Sequence, residues 1–110
     1  MSTAQALAQN PPQQKISAKM RAVLSIISSD TVLMDAVLPF IDFKNESIEW
    51  DKVFTSPLSV DQYGACLWAS ACWNDEVRPQ TNVFHAALSL DSNLQMGILK
   101  GLRIRWGMRG

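Results

Sequence analysis

Few residues in this chain have the types and spacing that chemistry needs. His85 is the single histidine in 110 residues, and it is the one side chain whose ordinary pKa lies near neutrality, so proton transfer would fall to it. No neighbouring motif completes a catalytic set around it, so a helix histidine held at the surface or at the edge of the core is the preferred reading. Cys66 and Cys72 could act as nucleophiles if a thiolate were favoured beside His85. Their neighbours are apolar, and burial raises a thiol's pKa and leaves it inert. Six positions along one helix turn the two thiols about 120° apart, so they cannot pair there. With only His85 beside them they lack the closely spaced ligand pairs of a zinc site.

Carboxylate pairs are the other route to catalysis. Glu46 with Glu49, or Asp75 with Glu76, could hold a hard cation or activate a water. Both pairs fall in loop-like stretches, where a solvated charge or a helix-end charge explains them as well. Phosphate-binding glycines are missing; Gly97 and Gly101 form a small-xxx-small pair outside any 20-residue apolar segment, which marks a close helix crossing. The expectation is a chain with no catalytic, cofactor or metal site, and so not an enzyme.

Binding is the remaining class. Lys plus Arg and Asp plus Glu are equal at 10 each, so no global field draws the chain to nucleic acid, anionic lipid or acidic substrates. The charges are nonetheless segregated: Asp30, Asp35, Asp42, Glu46, Glu49 and Asp51 face only Lys44 in their stretch, whereas Lys100, Arg103, Arg105 and Arg109 close the sequence without an acid. Those cations complement the negative end of a last helix in one reading and form a binding edge in the other. Four tryptophans in so short a chain either fill the core or leave apolar surface for a partner to cover. Lys100, Arg103, Arg105, Trp106 and Arg109 are therefore the candidate partner-binding residues. The partner is a protein or a second copy of the chain; nucleic acid bound by the basic C-terminal segment is the alternative, and salt dependence separates the two.

The elements that position these residues read as helices. Residues 1–14 are polar, uncharged and proline-broken, and read as a disordered lead to a helical domain over 15–110. Ile16, Met20, Val23, Leu24 and Ile27 make the stripe of an amphipathic helix. Thr31 opens a second, shorter one through Leu38, ended by Pro39. Trp50, Val53 and Phe54 have the spacing of one helical turn. Ser59 with Gln62 spells a capping box, and Leu58 with Tyr63 a hydrophobic staple, at the start of a helix near 60–73. That helix is apolar on every face, so it should lie at the centre of the fold.

After Asn74, Asp75 and Glu76, Thr81 or Asn82 caps a short apolar helix. Ser92 with Gln95 reads as a second capping box, and Leu94, Ile98, Leu102 and Trp106 continue along one side of a final helix. Strict alternation over 102–106, after Gly101, also fits a strand, and the i, i+4 series favours the helix. The predicted fold class is all-α, a small single-domain bundle of about four to five helices. No apolar run approaches the ~20 residues of a membrane span, no secretory leader is visible, and unpaired thiols fit a reducing cytoplasm.

Overall fold

Among the described residues, five of six α-helices begin on a side chain that satisfies N–H groups left without an intrahelical partner. The computed structural model describes residues 16–79 and 81–108; the polar lead and Arg109 lie outside them. In chain order the elements are α1 (Ala18–Ile27), α2 (Thr31–Val37), a 3-10 turn (Leu38–Phe40), β1 (Ile41–Asp42), β2 (Ser47–Ile48), α3 (Trp50–Thr55), α4 (Val60–Asn74), α5 (Val83–Leu88) and α6 (Ser92–Arg105). The described residues are all-α but for one small hairpin. Ser17 Oγ accepts the Met20 N–H, the Asp30 carboxylate accepts from Val32 and Leu33, and Asn82 accepts from His85. At α4 the capping box is complete: Ser59 Oγ accepts the Gln62 N–H at 3.1 Å and the Ser59 N–H donates to Gln62 Oε1 at 3.0 Å.

The last helix is capped one residue earlier than the sequence pattern suggests. Asp91, in extended backbone, accepts the Leu94 N–H at 2.9 Å. Ser92 is thereby already helical, and Gln95 does not close a box; its Nε2 donates to the Ala87 carbonyl at 2.8 Å, pinning α6 to the end of α5. The helix runs through Leu102, Arg103, Ile104 and Arg105 and ends at Trp106, so the alternation there is not that of a strand. Gly101 lies inside the helix because its missing side chain lets α6 approach Ala22 and Ile26 of α1.

The core forms where α1 crosses both α4 and α6, with α3 and α5 flanking α4. Every residue of α4 from Gly64 to Ser70 is buried, nearly two turns covered on all faces. Bare Gly64 lets α5 approach, since a Cβ there would meet Leu90 Cδ2 at 3.3 Å and Ala86 Cβ at 3.5 Å. Trp68 fills the space beside it, donating its indole N–H to the Val83 carbonyl at 2.8 Å and meeting Phe84 edge-on at 5.3 Å. A buried indole keeps its polar tip satisfied in this way. On α1 the buried set is Met20, Ala22, Val23, Ile26 and Ile27, while Ile16 is exposed. The stripe is wider than the sequence shows because α1 has two packing faces, Met20–Val23–Ile27 on one side and Ala22–Ile26 on the side of α6.

The hairpin between α2 and α3 has no counterpart in the sequence reading. Ile41 pairs with Ile48 and Asp42 with Ser47 in antiparallel register. The Asp42 carboxylate closes the turn by accepting from the Asn45 N–H at 3.1 Å and from Asn45 Nδ2 at 2.8 Å, which holds its pKa below the ordinary carboxylate value. Glu46 adopts a left-handed φ of 50° and accepts the Ser17 N–H at 3.0 Å, which lowers its pKa likewise. The acidic stretch thus ties the hairpin to the start of α1. Among the described residues no helix is long and apolar enough to cross a membrane.

Candidate functional site

The thiols sit where their chemistry is suppressed. Cys66 is fully buried on α4 and desolvation pushes its pKa up to about 12. Cys72 is raised too, first by burial, against the Arg105 guanidinium that favours its charged form, with Asp75 adding to the rise. Neither is a thiolate near neutral pH. His85 lies exposed on α5, its backbone N–H taken by the Asn82 cap. Asp75 and Glu76 sit at the exposed end of α4, Asp75 in left-handed backbone at φ 59°. Glu49 is paired with Lys52 at 2.8 Å and Glu46 is committed to Ser17. Among the described residues no three His, Cys, Asp or Glu side chains come together in a metal-binding group.

The candidate partner-binding residues divide into two groups, because residues two apart on a helix point about 200° away from each other. Arg105 turns toward α4. Its Nε donates to the Cys72 carbonyl at 2.8 Å and its Nη2 to both Asp75 carboxylate oxygens at 2.6 and 2.7 Å. It thereby caps the C-terminus of α4, taking one of the carbonyls that a helix end leaves unsatisfied. Trp106 lies beside it, 68% exposed, on the rim of a cleft of about 270 Å³ between α4 and α6. His85 does not line that cleft.

Lys100 and Arg103 lie on another side of α6, lining a groove beside its contact with α1. Gly97 and Gly101 set that contact: a Cβ on Gly97 would lie 2.6 Å from Ser29 Oγ and 3.1 Å from the Ser25 carbonyl, and one on Gly101 would lie 2.9 Å from Ile26 Cγ1 and 3.0 Å from the Ala22 carbonyl. Four residues forward on α6 correspond to three back on α1, so the helices run antiparallel with their backbones nearly touching. Beside this crossing opens a groove of about 840 Å³, with Met34 of α2 among the residues that line it. Leu24, Met96, Leu99 and Ile104 give it apolar walls, and Met96 is 64% and Leu99 55% exposed. Arg21, Lys100 and Arg103 all line it, and among the described residues no carboxylate does.

Arg21 is the residue that sequence reasoning missed. It precedes the Ala22 touched by Gly101, which brings it level with Lys100 and Arg103 although it is some eighty residues away in sequence. The available signal was the series Ala22, Ser25, Ser29 at helical spacing, the small-residue surface that matches Gly97 and Gly101. Compared with protein families, with curated proteins and with solved structures, the chain finds no match in any of the three.

Proposed function

We propose that this protein is a non-enzymatic interaction or regulatory protein that binds a partner in the groove between α1 and α6. The observation that carries the reading is the groove itself: a wide concave surface with two methionines, exposed leucine and three cations, beside a close helix crossing set by Gly97 and Gly101. Exposed apolar surface rimmed by charge is what partner sites have in common. Methionine walls suit a binding surface because the side chain is flexible and polarisable and moulds to its ligand. The suppressed thiols and the lone exposed histidine favour binding over catalysis, and buried, separated thiols fit a reducing compartment such as the cytoplasm.

The experiment is a selection from random peptide and random oligonucleotide libraries against the whole chain, with Met96→Asp and His85→Ala as counter-screens. Peptides retained by His85→Ala and released by Met96→Asp support the groove. A second reading, nucleic-acid binding, draws on the convergence of Arg21, Lys100 and Arg103. It requires oligonucleotides to be selected instead, with affinity falling steeply as salt rises. A second copy of the chain is the third kind of partner, read directly by sedimentation across concentrations.

A further inference from the structure

Resting on the groove reading just given, we infer that its occupant is an amphipathic helix of a partner protein that is acidic at one end. The lining residues on α6 run from Asn93 to Ile104, about 16 Å or three turns at 1.5 Å per residue, which matches a helix of similar length. Two packed helices present ridges and a valley in which a third helix fits, with apolar anchors at i, i+3 or i+4, and i+7. An extended strand would need a free sheet edge, and the groove has none. Because α1 and α6 are antiparallel, the groove is polarised along its length. Arg21, Lys100 and Arg103 gather at the end near Gly101, whereas Met34, Met96 and Asn93 gather at the end near Gly97.

None of the three cations has an ion-pair partner among the described residues. With no carboxylate among the described residues of the lining, the cationic end is electrostatically complementary to two or three Asp or Glu side chains, and the methionine end to apolar ones. A phosphate backbone would satisfy the cations and leave Met96 and Leu99 wet, and the groove has no aromatic platform on which bases could stack. The same positive end disfavours the protein's own polar lead, residues 1–14, which carries no acid.

The test uses the full chain and a fluorescein-labelled helical peptide of about fourteen residues, four turns by the same rise, with leucines at i, i+3 and i+7 and three glutamates at one end. Saturable binding should be weakened about tenfold or more by Lys100→Glu with Arg103→Glu, and by replacing the three glutamates with glutamine. It should be lost in Met96→Asp. Circular dichroism matching the parent shows that these surface variants fold. If the glutamine peptide binds as tightly as the glutamate one while Met96→Asp still abolishes binding, the acidic specificity is wrong and the groove reading survives. If no peptide binds, the inference falls, and the library selection decides the reading separately. If single-stranded DNA binds in place of the peptide, both fall. Concentration-dependent self-association abolished by Lys100→Glu with Arg103→Glu would make the occupant the acidic stretch of a second copy and overturn the assignment to a different protein.

Discussion

Helices α4 and α6 are nearly equal in length and both cross α1, yet they use their residues in opposite ways. On α4 the buried run from Gly64 to Ser70 covers every face, and Trp68 and Cys66 serve the core. On α6 only Leu94, Gly97, Ile98 and Gly101 are buried. Two of those four are glycines, so the helix approaches α1 through its backbone and leaves its larger side chains outside. A helix that packs through side chains consumes them, whereas one that packs through glycine keeps them available. That difference is why the chemically interesting residue types on α4 are silent and the plainer ones on α6 form a surface.

The largest expected effect tests the first half of that contrast. Trp68→Ala leaves a cavity at the α4–α5 contact and an unpaired Val83 carbonyl, and should cost about 3–5 kcal/mol in urea unfolding. A loss of less than about 1 kcal/mol, the size of an ordinary surface change, would mean that α4 is not the buried centre. Next comes the glycine contact: Gly101→Val drives a branched side chain against Ile26 and the Ala22 carbonyl, which being backbone cannot rotate away. A cost of about 2–3 kcal/mol is expected, together with loss of peptide binding as the groove walls separate.

The alkaline stability profile reports on the same burial through Cys66. Its folded pKa is raised to about 12, above the ordinary thiol value near 8.5–9. Below about pH 8 the thiol is protonated in both states and its stabilising contribution is fully present. Above that the unfolded chain releases the proton first, so stability declines through the window up to pH 12, by at most about 1.4 kcal/mol per pH unit. The parent profile minus that of Cys66→Ala isolates this slope from lysine and tyrosine titration. A flat difference would show Cys66 to be solvated. A thiol reagent at pH 8 should react with the parent only after unfolding.

Local chemistry made much of the fold legible. The Ser59–Gln62 box, the stripe through Met20, Val23 and Ile27, and the apolar run on α4 depend on neighbours within a few residues, and each stands where the pattern placed it. Asp91 rather than Ser92 is the cap, two good cap residues being adjacent, and Gln95 reaches Ala87 across the α5–α6 turn instead of closing a box. The hairpin escaped notice because its strands are two residues each, too short for any period to show. The site was half legible. Lys100 and Arg103 stand in the groove as members of the basic segment, but Arg21 reaches them only through the α1–α6 crossing. Arg105 departs from them because the helix turns it toward α4. Whether a charge is free or spent depends on tertiary partners, which spacing alone does not contain.

The smallest effects separate the two arginines of α6 and test the second half of the contrast. Arg105→Ala removes a charged donor from the Cys72 carbonyl and should cost about 1–2 kcal/mol. Little of that comes from the ion pair, because Asp75 is 68% exposed and such pairs contribute weakly. Arg105→Lys should recover only part of the loss, since a single ammonium cannot serve the carbonyl and the carboxylate in the forked geometry. Binding in the groove should be unchanged in both. Lys100→Ala and Arg103→Ala should behave in the opposite way, shifting stability by no more than about 0.5 kcal/mol while weakening the acidic peptide severalfold. If Arg103→Ala destabilises as much as Arg105→Ala, the groove cation is structural after all. The two faces of α6 would then both belong to the fold, and the case for a partner would rest on Met96 and Leu99 alone.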